Sequence, residues 1–214
     1  MSPDDRYDVS GLNEAQFEPG SDGSVLKNLL VITSPAEMDV AEANALMETV
    51  DRLVRLYDEE HRFTASDICE FHRVWLNDIY AWAGEYRLVN VSKGDFMFAA
   101  AGRVPALMAE FERDVLSRCT PCRFSTQEEV VRALAEAHVE LVLIHPFREG
   151  NGRVSRVLST LMALQAGLPL LDFSLIADEK KENYFAAVRS GLDRNYRPME
   201  RIFAEVIERS VVGS

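Results

Sequence analysis

The feature that most constrains this chain is a pair of apolar helical runs separated by a proline and a glycine-rich turn. From Val130 to Ile144 apolar residues recur at helical spacing, Val131, Leu134 and Val142 among them. Pro146 ends that run, because proline has no N–H to donate and bars the preceding residue from the helical region. Val154, Val157, Leu158, Leu161 and Leu164 then resume helical spacing. The second helix therefore starts near Asn151 or Gly152 and stops near Gly167, with Pro169 beyond it. Two long buried helices meeting at such an elbow predict a helical fold.

The elbow carries an unusual density of chemically able groups. It reads HPFREGNGRVSR, from His145 to Arg156. A glycine-rich turn entering a helix is an anion site: free N–H groups point outward, and the helix dipole favours negative charge. Gly150 and Gly152 flank Asn151 and let the backbone approach a phosphate closely. Arg153 lies in the first turn and Arg156 follows at i+3, so both project from neighbouring places. Their forked donors suit phosphate oxygens. Glu149 is a hard oxygen ligand beside that turn, and Mg²⁺ usually binds through one or two carboxylates plus substrate phosphates. His145 stands at the mouth and can take a proton near neutral pH. These residues point to a nucleotide phosphate, Mg²⁺ and a general base, that is, to attack by a hydroxyl on phosphorus. The bland alternative is an elbow with capping glycines and solvated arginines. It accounts for Pro146 and Gly152 but not for the convergence of His, Glu, Asn and two Arg.

On those residues the segment resembles the signature of Fic domains, His-Pro-Phe-x-(Asp/Glu)-Gly-Asn-Gly-Arg-x-x-Arg, with every fixed position matched. Upstream, Ile79 to Arg87 is similar to the family's Trp-Ala-Gly-x-x-Arg segment. Ser92-Lys93-Gly94, then Phe96 and Phe98, resembles its substrate-docking flap. Pro19-Gly20-Ser21 and Leu26-Lys27-Asn28 resemble a common opening of bacterial members. The similarity runs roughly from Phe17 to Ile207.

The resemblance implies an all-α, Fic-type helical bundle with one β-hairpin flap, and protein AMPylation: transfer of AMP from ATP to a Ser, Thr or Tyr hydroxyl, with release of pyrophosphate. His145 would be the base. Gly150, Asn151, Gly152, Arg153 and Arg156 would hold the phosphates, and Glu149 the Mg²⁺. Tyr184 would line the adenine pocket, and Ser92, Lys93, Gly94 and Phe96 would dock the target. Phe147 would anchor the loop in the core. Two readings stay open beside it. One is transfer of another phosphate-containing group; the phosphate-transferring members depart from the Gly-Asn-Gly segment, whereas this chain keeps it. The other is a non-catalytic nucleotide-binding regulator, against which the intact His145 argues.

Composition narrows the partners. A net charge of −12 argues against nucleic acid, which needs a basic face. No signal peptide or membrane-spanning run is visible. Cys69, Cys119 and Cys122 are an odd number, so a reducing cytosol is expected, with secretion as an effector the alternative. Cys119 and Cys122 read as a surface turn with two free thiols. The 214 residues hold 47% hydrophobic side chains, enough for one sizeable core.

Along the chain, residues 1–24 are rich in Asp, Glu, Gly, Ser and Pro and read as an extended or poorly ordered arm; residues 25–210 read as the Fic domain. Val25 to Ile32 is an apolar run expected to pack on the core. Ser34 and Pro35 open a helix with Leu46, Val50, Leu53 and Tyr57 on one stripe. Thr64 and Asp67 cap the next, predicted to run to Gly84, with His72 beside its apolar face as a structural histidine. Residues 86–98 read as a hairpin, by its residues alone equally a cover for the core or a flap that receives an extended segment by strand addition. Pro105 opens another helix, Ser125 and Glu128 cap the helix leading into the elbow, and His138 lies on its apolar side. Asp178 is a cap for a helix carrying Tyr184, Phe185 and Val188, and Pro198 starts the last helix. That makes about seven helices and one hairpin.

Many Fic proteins are held inactive by a helix with (Ser/Thr)-x-x-x-Glu-(Gly/Asn), whose glutamate pairs with the second motif arginine, here Arg156. Ser10 to Glu14, Thr33 to Glu37, Ser66 to Glu70 and Ser125 to Glu129 have the spacing, and none is followed by Gly or Asn. Little chain follows the last helix. The expectation is therefore no in-chain inhibitor, with a small antitoxin-like partner protein as the family's alternative.

Overall fold

In the computed structural model, which describes residues 11–177 and 181–212, the protein is mostly helical with one small hairpin. Its helices are α1 (Pro35–Leu56), α2 (Ala65–Leu76), α3 (Val104–Phe111), α4 (Ser117–Cys119), α5 (Gln127–Ile144), α6 (Asn151–Gln165), α7 (Ser174–Ala177), α8 (Lys181–Ser190) and α9 (Arg197–Val212). The hairpin strands are β1 (Ser92–Lys93) and β2 (Phe96–Met97), antiparallel, with Ser92 opposite Met97 and Lys93 opposite Phe96.

The central helix is α5. Its inward positions, from Val130 to Ile144, are buried on more than one face, as a helix hydrophobic around most of its circumference must be. Helices α6 and α9 cover two sides of it, and α3 and α8 close the rest. Thr126 starts α5 by accepting the Glu129 N–H, while the Glu129 carboxylate takes the Thr126 N–H. Two backbone donors are satisfied reciprocally. The expected pair Ser125 and Glu128 is thus displaced by one residue, because Thr126 is the residue with extended backbone next to the helix.

Several further expectations are corrected. The second helix ends at Leu76 rather than Gly84. The turns that follow keep Ile79, Tyr80 and Trp82 buried, so the apolar face continues without the helix. The hairpin's paired core is two residues a side, and Leu88 to Val91 lies outside it. In the 25–32 run Val25, Leu26 and Asn28 are buried and Ile32 packs against the core, whereas Leu29, Leu30 and Val31 are exposed. Residues 11–24 are a set of tight turns with Glu14, Glu18 and Ser21 buried, joined to the core side by a bridge between Phe17 and Leu26. Cys119 and Cys122 are buried rather than in a surface turn, and burial pushes their thiols up to about 11 and about 12, which makes them inert. Asp178 and Ser10 lie outside the described residues. Among the described residues no helix is long and apolar enough to cross a membrane.

Candidate active site

His145 is the residue after the last turn of α5. Its N–H still bonds the Leu141 carbonyl, but Pro146 denies it helical backbone, and it turns left-handed with φ 53° and ψ 60°. That conformation is costly for a non-glycine residue and persists only when its surroundings impose it. Here they do. The buried Arg87 guanidinium donates to the His145 carbonyl at 2.7 Å and to the carbonyls of Val89 and Ala99 at the two stems of the hairpin. Arg87 also brings positive charge to the C-terminal end of α5, where the dipole favours it.

The loop beyond is closed by its own side chains. Asn151 accepts the Phe147 N–H and donates to the Phe147 carbonyl, both at 2.8 Å. Phe147 is fully buried and stacks on His72 with ring centres 3.9 Å apart. His72 accepts the Gly84 N–H through Nδ1 at 2.7 Å, so its Nε2 carries the proton and donates to the Glu149 carbonyl at 3.2 Å. Burial drives His72 down to about 3, so it stays neutral in this role. Gly150 has φ 81°, and a Cβ there would sit 2.5 Å from the Trp75 ring; only glycine fits both conditions.

Helix α6 opens with no side-chain cap. Its first intrahelical bond is from the Val154 N–H to the Gly150 carbonyl, which leaves the N–H groups of Asn151, Gly152 and Arg153 without acceptors inside the helix. These donors begin at the wall of a 640 Å³ cavity lined by His145, Glu149, Asn151, Gly152 and Arg156. The flap supplies Ser92, Lys93, Phe96 and Phe98 to it, and α8 supplies Lys181, Tyr184 and Phe185. The roof is held by Lys93, whose Nζ lies 4.1 Å from the centre of the Phe185 ring.

Within the cavity His145 has a defined tautomer. Its Nδ1 lies 3.0 Å from the Val142 carbonyl, which can only accept, so Nδ1 carries the proton and Nε2 keeps a lone pair. Phe98 stacks on the imidazole with ring centres 3.6 Å apart. Burial, with Arg87 and Lys93 nearby, pushes His145 down to about 4, so the ring is neutral at physiological pH. Arg156 is half-buried on the floor. Burial lowers the Lys93 ammonium, and the charge of Lys181 adds to the same direction. Five cationic side chains, Lys93, Arg148, Arg156, Lys181 and Arg189, thus line the cavity in a chain of net charge −12.

Tyr184 is fixed from behind. The Ser159 hydroxyl donates to the Ser155 carbonyl at 2.8 Å and so accepts from His138 Nδ1 at 3.1 Å. His138 Nε2 is then bare and accepts the Tyr184 hydroxyl at 2.9 Å. Burial keeps His138 neutral, pushed down to about 3.

Two placements could not be read from spacing. Arg153 does not line the cavity; its guanidinium lies over Trp75, 4.6 Å from the ring centre, between Glu42 at 2.6 Å and Glu149 at 3.3 Å. Gly94 lies at the hairpin tip with φ 56° and open space around it. Of the glutamates weighed as inhibitors, Glu14 accepts the Leu88 N–H at 2.6 Å, Glu70 pairs with Arg73, and Glu129 caps α5. Among the described residues no ion pair to Arg156 is found.

Residues 62–163 match the model of the Fic/DOC family. Among curated proteins, the "Protein adenylyltransferase Fic" of Drosophila ananassae is 30% identical over 154 residues, 72% of this chain and 29% of that protein. Its Drosophila melanogaster counterpart is 32% identical over 149 residues, 69% of this chain and 29% of that protein. The chain therefore spans less than a third of the length of these relatives. Among solved structures, the Bartonella tribocorum effector BepC with bound AMPPNP superposes with a TM-score of 0.72 at 20% identity, covering 92% of this chain and 97% of that one. An N-terminal Fic domain from Bartonella quintana with bound ADP gives 0.72 at 23% identity, covering 91% and 95%.

Proposed function

Because residues 62–163 are a Fic/DOC family domain, we propose that this chain transfers AMP from ATP to a Ser, Thr or Tyr hydroxyl of a target protein and releases pyrophosphate. The observation that carries the reading is the arrangement at the end of α5. A neutral His145 with a bare Nε2 shares one cavity with the uncapped start of α6 and with Arg156. The curated relatives named as adenylyltransferases support the same chemistry.

ATP enters with its phosphates on the N–H groups of Asn151 and Gly152 and its base toward Tyr184. Arg156, Lys93 and Lys181 face the outer phosphates. The target hydroxyl gives its proton to His145 Nε2 as its oxygen bonds the α-phosphorus. The bond from that phosphorus to the bridging oxygen breaks, and pyrophosphate leaves with the electron pair. Fixed donors around developing charge, with little else to do chemically, are what phosphorus transfer requires. The flap holds an extended stretch of the target along its exposed backbone.

A divalent cation fits this site through Glu149. The carboxylate lines the cavity, and its Oε1 is already oriented by the Gly150 N–H at 2.9 Å. Among the described residues no group of three or more His, Cys, Asp or Glu could cage a metal alone. One carboxylate plus substrate phosphates is the usual manner of Mg²⁺. When bound, Mg²⁺ would offset phosphate charge at the α6 turn. Regulation by a separate antitoxin-like protein, and a reducing cytosolic location suited to three free cysteines, complete the proposal.

The test is incubation with Mg²⁺ and ATP labelled at the α-phosphorus, with and without cell lysate, beside His145→Ala. Label on a protein band, lost in His145→Ala, is expected. Label from the γ-phosphorus and none from the α-phosphorus would make the chain a kinase. Bound ATP without transfer of either label would make it a nucleotide-binding regulator.

A further inference from the structure

Glu42 lies on α1, outside the family-matched residues 62–163, yet its carboxylate reaches the back of the elbow. It is 3% exposed. Its Oε1 accepts the Tyr80 hydroxyl at 2.8 Å and its Oε2 faces Arg153 Nη1 at 2.6 Å, while its own carbonyl accepts the Trp75 indole N–H at 2.9 Å. A carboxylate this deep persists only when paired and hydrogen-bonded. Both conditions are met, so the position is built.

Arg153 is consequently shared. One nitrogen faces Glu42 at 2.6 Å, another faces Glu149 Oε1 at 3.3 Å, and the guanidinium lies over Trp75. Glu149 is the only one of the two carboxylates on the cavity wall. An arginine left to Glu149 alone would close on it, occupy the oxygens a cation needs and add repulsive charge beside the cation. The shorter contact to Glu42, reinforced by the Trp75 ring, draws the guanidinium the other way.

We propose that Glu42 is a positioning residue: it holds Arg153 against α1 and Trp75 and so leaves the Glu149 carboxylate available to a divalent cation. The inference rests on the reading of Glu149 as the cation ligand. Glu42 itself touches neither nucleotide nor cation. A helix outside the matched domain thus sets how strongly the site takes its cation.

The experiment measures Mn²⁺ binding by the fall of the free-ion electron paramagnetic resonance signal, using the full chain with a non-hydrolysable ATP analogue. Loss of binding in Glu149→Gln supports the underlying reading; equal binding in Glu149→Gln and in the unsubstituted protein removes that reading and this inference with it. Given that loss, Glu42→Gln should bind Mn²⁺ roughly fivefold more weakly, a coupling typical of residues in one ion-pair network. Binding of the analogue in EDTA should not change. The weakening should vanish in the Arg153→Ala background, where Glu42→Gln has nothing left to release. Tyr80→Phe, which removes the other hydrogen bond of Glu42, should leave Mn²⁺ binding unchanged. An equal weakening with and without Arg153 would mean that Glu42 acts through its own field or through the fold, and would overturn the proposal. Arg153→Ala alone keeps the test decisive if Glu42→Gln does not fold. It should bind Mn²⁺ at least as tightly as the unsubstituted protein, and weaker binding overturns the inference.

Discussion

The elbow from His145 to Arg156 and the hairpin from Ser92 to Met97 face the same cavity and are built in opposite ways. In the elbow the backbone is bonded at nearly every step: Phe147 to the Asn151 side chain, the His145 carbonyl to Arg87, the Glu149 carbonyl to His72. Its anchor, Phe147, is fully buried. The hairpin pairs two residues a side, and most of its side chains face solvent. Groups that must stabilise charge on phosphorus gain by being fixed before the reaction, because nothing is then spent on reorganising them. A surface that receives a protein segment needs free backbone and room to adjust. Arg87 joins the two regions by hydrogen bonds to the His145 carbonyl and to both hairpin stems, beside the stack of Phe98 on His145.

The comparison breaks most easily through acid. His72, His138 and His145 are held neutral by burial, at about 3, about 3 and about 4, and all three pack on or behind the elbow. In the unfolded chain each takes a proton as pH falls through about 6.5. Unfolding therefore binds protons, and stability is present above that pH and lost below it as pH falls toward about 4. With three such groups the slope should approach about 4 kcal/mol per pH unit near pH 5. Denaturant unfolding at several pH values measures it, and His72→Gln should remove about one proton of the dependence. A flat profile from pH 7 to pH 5 would mean that these histidines are not held neutral.

A second contrast uses the two left-handed glycines. Gly150→Ala would press a methyl to 2.5 Å from Trp75 at φ 81°, and should cost about 3 kcal/mol or more. Gly94→Ala meets nothing within 4 Å, so only its left-handed backbone at φ 56° is strained, and about 1 kcal/mol is expected. Equal shifts in the unfolding midpoint would erase the distinction between a packed elbow and an open flap tip.

The smallest effect sharpens it. Phe98 stacks on His145, whereas its neighbour Met97 is 64% exposed. Phe98→Ala should lower kcat roughly tenfold or more by loosening the histidine, with little change in the KM for the target. Met97→Ala should leave kcat and raise the KM for the target a few-fold. Steady-state kinetics on an identified target separates the two.

The elbow was legible because its signals are local. Pro146, the glycines and the return of helical spacing at Val154 each act within a few residues, and the fold of the helices around it follows from their apolar stripes. What escaped depends on distance in sequence. Nothing near Glu42 marks it; it stands among Glu37, Asp39 and Glu48 on an acidic helix, and only folding shows that it alone faces Arg153. Likewise the two arginines of the motif look equivalent at i and i+3, yet one faces the cavity and the other faces α1. The end of α2 is not visible in the sequence because Ile79 and Trp82 stay buried after the helix has stopped, and apolar periodicity reports burial rather than backbone. His72 is recognisable as a buried histidine, but its hold on the Glu149 carbonyl spans 77 residues.

The central claim is that His145 is a preorganised, neutral base for transfer to phosphorus. The most direct test is the single-turnover rate of label transfer from the α-phosphorus of ATP to a target, followed from about pH 5 to about pH 8, with His145→Ala in parallel. Because His145 is already deprotonated across that range, the account predicts no loss of rate on the acid side until the chain itself begins to unfold, and a fall of about a hundredfold or more in His145→Ala at every pH at which the chain is folded. A rate that halves near the ordinary histidine value of 6.5, or one that survives in His145→Ala, would contradict it.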